Sequence, residues 1–313
     1  MLPSPLQGTC HDRARKRVFF FYFVRRMVTI KNPVNMSNRK IWYVTGASQG
    51  LGLSLVKQLL AAGYRVAATS RSARELQKAA GVDDPGRFLP LEVDLTNADS
   101  IRHSIEQTVA GFGGIDVIVN NAGYGMEGTV EELDEKKMRA IFEINVFATI
   151  NVTRHALPHL RKQRSGHIIN ISSVAGFVGA PGWSIYSATK AAVIAFSEVL
   201  ALDVRELGIR VTVVGPSGFR TGFLTKGSLD NTESRIADYQ AIANTRARYA
   251  AMDGKQDGDP EKAAALFIQL AETPEPPLHL WLGANAVDRA GEKIESMGQE
   301  LSNWKALSVS ADF

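Results

Sequence analysis

The 313-residue sequence contains a single cysteine, Cys10, and no run of about 18 consecutive apolar residues. One cysteine excludes an intrachain disulfide and a cysteine-based metal site. The lack of a long apolar run argues against an ordinary transmembrane segment. The sequence also has no internal repeat and no low-complexity tract, which argues against solenoid and fibrous architectures. Because 45% of the residues are hydrophobic, the chain is expected to fold around a packed core.

Positive charge is concentrated at one end of the chain. Residues 1–38 contain seven Lys or Arg residues and one Asp, whereas the whole chain has a net charge of +4. The rest of the chain is therefore slightly acidic, which argues against nucleic-acid binding. We interpret residues 1–38 as a basic, disordered N-terminal extension of a cytoplasmic protein, and residues 39–313 as one domain. An organelle transit peptide within residues 1–35 and a weak membrane-surface anchor are the alternatives.

From Ile41 onward, short apolar runs alternate with longer amphipathic ones. Continuous apolar strands separated by helix-length segments are typical of a parallel sheet that helices cover on both faces. The expected fold class is α/β, a Rossmann-type doubly wound parallel sheet of about seven strands. The predicted strands are 41–44, 65–69, 88–93, 116–120, 167–171, 210–214 and 278–282.

A glycine-rich turn joins the first predicted strand to the helix that follows. It reads TGASQGLG from Thr45 to Gly52. Glycines at a strand-to-helix turn let backbone N–H groups and the helix N-terminus approach a pyrophosphate, whose negative charge the helix dipole favours. A tight turn without a ligand is the alternative. The candidate cofactor-binding residues here are Gly46, Ser48, Gln49, Gly50, Leu51 and Gly52.

The residues that follow the second and third strands bear on the choice of dinucleotide. The second strand ends without an acidic residue that would accept a hydrogen bond from a ribose 2′-hydroxyl. Arg71, with Ser70 and Arg74 nearby, suits a 2′-phosphate instead, so NADP(H) is preferred over NAD(H). Asp94 and its neighbour Leu95 are placed to contact the adenine. A role for Asp94 as a turn or cap residue is the alternative.

The segment Asn170–Lys190, NISSVAGFVGAPGWSIYSATK, contains the candidate proton donor. Tyr186 and Lys190 are four residues apart and would share one face of a helix. An ammonium beside a phenol favours the phenolate and brings its pKa toward neutrality. Ser173 is placed to present its hydroxyl to the same oxygen. A tyrosine and a lysine on an exposed helix face are the alternative reading of this spacing.

Other polar residues occur in the middle of the chain. The fourth strand ends in NNAG, where the small residues of 120–123 would let the backbone approach a cofactor. Asn145 lies in an apolar stretch and must find partners when buried, so it holds a helix irregularity or orders a water. His155 and His159 have no third ligand nearby, so no metal site is predicted.

Together these motifs resemble those of the short-chain dehydrogenase/reductase family, from Lys40 to at least Thr221. TGASQGLG, Asp94, NNAG, ISSVAG and YSATK occur in the family's order. The resemblance implies a catalytic set of Ser173, Tyr186, Lys190 and Asn145, with Ser173 preferred over Ser172. One departure is Ser217, where the family usually has glycine. The further cofactor contacts implied are Asn121, Ala122, Gly123, Tyr186, Lys190, Pro216, Gly218 and Thr221.

The expected function is NADP-dependent hydride transfer that interconverts a hydrophobic ketone or aldehyde and its alcohol, with Tyr186 as general acid/base. The expected partners are a small hydrophobic carbonyl or alcohol substrate and a second copy of the chain. A lid is predicted at 219–255. The alternatives are a non-catalytic NADP-binding regulator and a dehydratase or epimerase on the same fold. The candidate substrate-binding residues are Ser173, Phe177, Trp183, Tyr186 and Phe223.

Overall fold

The computed structural model describes residues 39–225, 227–232 and 235–313, so the predicted N-terminal extension lies outside the described residues. Seven strands form one parallel sheet in the order β3-β2-β1-β4-β6-β7-β9, and β5 pairs with β8 in a separate two-stranded sheet. The strands are β1 (Ile41–Val44), β2 (Arg65–Ser70), β3 (Phe88–Glu92), β4 (Val117–Asn120), β5 (Gly125–Glu127), β6 (Gly166–Ile171), β7 (Ile209–Pro216), β8 (Leu229–Asn231) and β9 (His279–Leu282).

Helices cover both faces of the main sheet. Alternate residues of β1 enter opposite cores, since Trp42 and Val44 pack on one side and Ile41 and Tyr43 on the other. The predicted doubly wound parallel sheet is confirmed. The helices are α1 (Gly50–Ala61), α2 (Ala73–Ala80), α3 (Ala98–Phe112), α4 (Glu135–Phe142), α5 (Ala148–Gln163), α6 (Ser184–Val204), α7 (Gln240–Met252), α8 (Pro260–Glu272) and α9 (Ala284–Val309).

The strand order creates a crevice beside β1. The chain runs from β1 outward to β2 and β3, and then returns to place β4 on the other side of β1. Val44 near the end of β1 is in register with Ala68 on β2 and Val119 on β4. The chain after β1 continues into α1 on one face of the sheet, and the chain after β4 continues into α5 on the other face. This is the topological switch point where α/β proteins bind ligands.

Two segments differ from the expected elements. The segment that contains Asn145 is not one regular helix but consists of α4, a π-helical turn at Glu143–Phe147, and α5. The predicted lid, expected to hold one or two helices, contains strand β8 as well as helix α7. Pairing of β8 with β5 explains this strand, because the partner lies about a hundred residues earlier in the chain.

Among the described residues, one helical stretch, Ser184–Leu207, is long and apolar enough by length and composition to cross a membrane. It contains α6, which packs along β7 of the main sheet. Its buried residues include Thr189, Lys190 and Ser197, whose polar groups are satisfied within the fold. We interpret this stretch as a core helix of the α/β sheet.

Candidate active site

Helix α6 places Tyr186 and Lys190 on its inward face. The exposed fractions are 6% for Tyr186 and 4% for Lys190, so the pair does not decorate an exposed surface. The Lys190 ammonium lies 5.8 Å from the centroid of the Tyr186 ring. It also donates a hydrogen bond of 2.9 Å to the carbonyl oxygen of Ile171 at the end of β6. This contact joins the lysine to the carboxyl edge of the sheet.

Two glycines make room for the Lys190 side chain. A Cβ atom added at Gly123 would lie 3.2 Å from Lys190 Nζ and 3.0 Å from Asn145 Oδ1. A Cβ atom added at Gly176 would lie 2.6 Å from the Lys190 carbonyl carbon and 2.8 Å from its Cβ. The distances at Gly176 would force a shift, and those at Gly123 would require its neighbours to give by a few tenths of an ångström. The glycines of NNAG and ISSVAG therefore allow the lysine to sit between their loops.

The two neighbouring serines have different partners. Ser172 donates a hydrogen bond of 2.8 Å to the Lys190 carbonyl oxygen, which commits its hydroxyl to the helix. Ser173 accepts a hydrogen bond from the Ala175 N–H and also interacts with the Tyr186 hydroxyl, an interaction that lowers the tyrosine's pKa. The structure therefore brings Ser173, and not Ser172, to the phenol oxygen.

Burial dominates the protonation of the pair. It raises the pKa of Tyr186 to about 12, although the hydrogen bond with Ser173 lowers it in part. Burial also lowers the pKa of Lys190 to about 8. The expected lowering of the tyrosine's pKa by Lys190 is not seen, because the loss of water around the phenol is the largest effect and Lys190 is not among the groups that shift this pKa. Tyr186 is thus a protonated hydrogen-bond donor at neutral pH.

Asn145 occupies the π-helical turn and is 1% exposed. Its Oδ1 accepts a hydrogen bond from the Tyr124 N–H, and its Nδ2 donates to the Tyr124 carbonyl, both at 3.0 Å. Nδ2 also donates to Thr189 Oγ1, which in turn donates to the Tyr186 carbonyl. The amide therefore connects the loop after NNAG to the turn of α6 that contains Tyr186.

The glycine-rich turn has the properties of an anion site. Helix α1 begins at Gly50 without a side-chain hydrogen bond from its N-cap residue, Gln49, and without an acid in its first turn. Its first N–H groups therefore lack a side-chain cap, and the turn sits at the switch point, which fits the pyrophosphate of a dinucleotide. Asn121 Nδ2 donates to the carbonyls of Thr45 and Gly46 at 3.0 Å. The side chain of Asn121 thus fixes the turn.

The close approach of the two loops explains the small residues at their contact. A Cβ atom added at Gly46 would lie 2.7 Å from the Cα of Ala122, and one at Gly52 would lie 2.6 Å from Asn121 Nδ2. The amides of Asn121 and Ala122 both donate to Thr45 Oγ1. TGASQGLG and NNAG are therefore a single packed unit.

The residues predicted to select the dinucleotide lie beside this unit. Arg71 follows β2 and is exposed, and it makes no ion pair within residues 39–225, 227–232 and 235–313. Asp94 accepts hydrogen bonds from the amide and hydroxyl of Thr96, which lower its pKa. Asp94 therefore has the turn role that the sequence offered as the alternative. Its neighbour Leu95 packs on the hydrophobic core.

Aromatic rings surround Tyr186. The Trp183 ring lies 5.4 Å from it edge-on, and the Phe223 ring lies 5.8 Å away at a tilt. Tyr249 on α7 adds a ring 5.1 Å from Trp183, a contribution that the sequence analysis missed. Phe177 is not part of this group, because its ring stacks on Trp281 at 5.0 Å. The prediction that Phe177 forms a substrate wall is therefore not supported by its position.

The segment after β7 lies beside the glycine-rich turn. Pro216 ends the strand, and the Ser217 N–H donates to the Leu282 carbonyl at 3.0 Å. Among the described residues Arg164 is the one non-glycine with positive φ, so the serine at 217 carries no backbone strain. Thr221 faces the glycine-rich turn, since a Cβ atom added at Gly50 would lie 3.2 Å from the Thr221 Cβ.

Three polar contacts that hold the surrounding loops were missed by the sequence analysis. Glu127, 2% exposed, pairs with Arg246 of α7 at 3.3 Å. Arg289 of α9 donates to the Val178 carbonyl at 3.0 Å, and Gln49 donates to Ser228 Oγ at 2.9 Å. These partners are more than a hundred residues apart in sequence, so no local pattern marks them.

Comparison with known proteins points to the same family as the sequence motifs and the geometry of the site. The family model described as short chain dehydrogenase matches residues 40–232. Oxidoreductase BOA17 of Botryotinia fuckeliana is 36% identical over 273 residues, covering 87% of this chain and 99% of that relative. 3-Ketodihydrosphingosine reductase of Bacteroides thetaiotaomicron is 33% identical over 244 residues, covering 78% and 88%. A short-chain dehydrogenase from Streptomyces avermitilis superposes with a TM-score of 0.80 at 37% identity, covering 87% of this chain and all of the other.

Proposed function

The chain belongs to the short-chain dehydrogenase/reductase family and is an oxidoreductase, and we propose that it reduces hydrophobic ketones or aldehydes to alcohols with NADPH. The same site would run the reverse oxidation. The observation that carries the proposal is the meeting of Ser173, Tyr186, Lys190 and Asn145 at the carboxyl edge of the sheet. This group lies next to an uncapped helix N-terminus at the switch point.

The proposed chemistry follows from where charge develops. The nicotinamide ring, when bound, supplies the hydride to the carbonyl carbon. Tyr186 donates its proton to the carbonyl oxygen as negative charge grows there, and the Ser173 hydroxyl donates a hydrogen bond to the same oxygen. The Lys190 ammonium stabilises the phenolate that remains. Asn145 holds the Tyr124 loop and α6 in the arrangement that this transfer needs.

The surroundings of Tyr186 favour an apolar substrate. Trp183, Phe223, Tyr249 and Met126 belong to one hydrophobic cluster with the tyrosine. A carbonyl compound with an apolar body would replace water against these rings, while its oxygen reaches the phenol. Two relatives with reductase names, 3-ketodihydrosphingosine reductase and 3-oxoacyl-(acyl-carrier-protein) reductase, act on keto compounds by their names, in keeping with this class.

Arg71 supports NADPH over NADH, because its exposed guanidinium follows β2 where no acid is present. Replacing Arg71 by alanine should lower kcat/KM with NADPH by about 10- to 100-fold, the loss of one charge-assisted hydrogen bond. The value with NADH should be unchanged. Lys78→Ala, which removes an exposed lysine on α2 seven residues away, is the matched control for a lost exposed charge. An equal effect of Arg71→Ala on both cofactors would contradict the preference for NADPH.

The decisive experiment follows NADPH oxidation against a panel of hydrophobic ketones and aldehydes. Wild-type protein should turn over part of the panel, and Tyr186→Phe should lose at least about 100-fold in kcat while still binding NADPH. Phenylalanine keeps the ring packing against Trp183 and Phe223 and removes only the hydroxyl. Equal rates for the two proteins on every substrate, with NADPH still bound, would overturn the proposed function.

A further inference from the structure

Helix α9 begins against the body of the protein and continues as an exposed rod. Ala286 and Ala290 are buried in its first two turns. Large apolar side chains along the helix are exposed: the values are 55% for Val287, 58% for Ile294, 48% for Met297, 71% for Leu301 and 62% for Trp304. Single exposed apolar residues are ordinary, whereas an aligned series on one helix indicates a binding surface. We call these five residues the α9 stripe.

The spacing of the α9 stripe is that of a coiled coil. Val287, Ile294 and Leu301 repeat every seven residues, and Met297 and Trp304 each follow a member of that series by three. The exposed pattern fills both apolar positions of two consecutive heptads, from Ile294 to Trp304, whereas Ala290 packs against the body of the protein. The opposite face of the helix is polar throughout, with Glu292, Glu295, Ser296, Gln299, Ser302 and Asn303. A second helix with the same repeat is the partner that fits this seam.

We propose that the α9 stripe binds the α9 stripe of a second copy of this chain in a parallel two-stranded coiled coil. The flanking charges support this partner. In a parallel pair, the residue just before the first apolar position of a heptad lies opposite the residue of the partner helix whose number is five higher. Glu300 and Lys305 have this spacing, so each pair of helices gains two symmetric ion pairs.

The charge of α9 argues against a membrane as the occupant. The helix contains four acidic and three basic residues, Asp288, Glu292, Glu295 and Glu300 against Arg289, Lys293 and Lys305. Helices that lie on anionic lipid surfaces are rich in Lys and Arg on their polar face. The polar face of α9 has the opposite bias.

The first test measures the mass of the full chain in solution by sedimentation velocity. Leu301→Asp should halve the mass of wild type, whereas Gln299→Asp, which adds the same charge on the polar face, should leave it unchanged. Both side chains are exposed, so neither change disturbs the core. The kcat/KM of both variants should equal that of wild type. An unchanged mass for Leu301→Asp, or a wild-type mass of one chain, would overturn the proposal.

The second test fixes the orientation of the helices. In a chain with Cys10→Ser, which removes the one native cysteine, Leu301→Cys should form an intermolecular disulfide on mild oxidation, because equivalent residues of a parallel pair face each other. Gln299→Cys should not. Equal cross-linking of the two variants would overturn the parallel pairing. Co-sedimentation of wild type, but not of Leu301→Asp, with vesicles of phosphatidylcholine and phosphatidylserine would overturn it in favour of a lipid partner.

Discussion

The side-chain amide of Asn145 forms a reciprocal pair of hydrogen bonds, both of 3.0 Å, with the main chain of Tyr124. The pair lies where a π-helical turn replaces the regular ladder between α4 and α5. A regular helix would carry residue 145 out of this position, so the irregularity and the amide occur together. The same Nδ2 reaches Thr189 at 3.0 Å. One side chain thus fixes the loop after NNAG relative to helix α6.

Asn145→Ala should therefore destabilise the fold as well as the site. It leaves the N–H and carbonyl of Tyr124 without their partner and removes one of the two hydrogen bonds of the Thr189 hydroxyl, at a cost of about 2–4 kcal/mol in the free energy of unfolding. Urea denaturation measures this loss, and kcat should fall in the same variant. Ser296→Ala, an exposed polar residue on α9, is the control and should change stability by less than about 0.5 kcal/mol. A similar value for Asn145→Ala would contradict the structural role.

Gly176→Ala tests the space reserved for Lys190. The added Cβ atom would lie 2.6 Å from the Lys190 carbonyl carbon, so the serine loop or the lysine must shift. We expect kcat to fall by at least about 10-fold, since displacements of about 1 Å at a catalytic group have effects of this size. Gly179→Ala is matched in chemistry and lies in the same loop, with nothing within 4 Å of its added Cβ. It should retain wild-type kcat. Equal behaviour of the two variants would contradict the steric argument.

As the pH rises, activity should fall, while the contribution of Lys190 to stability should rise. Burial lowers the pKa of Lys190 to about 8 from its ordinary value of 10.5. The ammonium that stabilises the phenolate is lost as the pH rises through about 8, so kcat/KM for reduction should fall there. Between these two pKa values the unfolded chain binds more protons than the folded one, so the contribution of Lys190 to stability rises with pH.

Comparison of wild type with Lys190→Met isolates this effect. Urea unfolding at several pH values should show the free energy of unfolding of wild type rising relative to that of Lys190→Met as the pH rises from 8 to 10.5. Other groups titrate equally in both proteins and cancel in the difference. A pH-independent difference would show that Lys190 keeps its ordinary pKa in the fold.

Features set by local periodicity could be predicted from the sequence. The four-residue spacing of Tyr186 and Lys190 fixes a common helix face, and the apolar runs fix the strands. The sign of the Tyr186 pKa shift could not be predicted, because it depends on burial by distant rings such as Phe223 and Tyr249. The orientation of the Phe177 side chain could not be predicted either, because Trp281, on which its ring stacks, is about a hundred residues away in sequence.

Glu127 and Arg246 are far apart in sequence, and the tertiary fold brings them together as an ion pair. This pair supports a prediction about helix α7. Glu127 lies on β5 and is 2% exposed, while Arg246 lies on α7 and also donates to the Thr232 carbonyl at 2.9 Å. Burial raises the pKa of the Glu127 carboxyl, and the arginine opposes this shift. Helix α7 also contains Tyr249, which packs on Trp183. The ion pair therefore holds the aromatic wall of the site in place.

Arg246→Met should leave a buried carboxylate without its partner and lower the free energy of unfolding by about 3 kcal/mol. It should raise KM more than it lowers kcat, because α7 reaches the site through Tyr249, whose ring packs on Trp183, while Tyr186 is positioned by α6. The double variant Glu127→Gln with Arg246→Met removes the buried charge together with its partner. It should therefore recover most of the stability, which a double-mutant cycle measures. Additive losses in the double variant would show that the two side chains act independently, and would remove the reason to treat α7 as held by this pair.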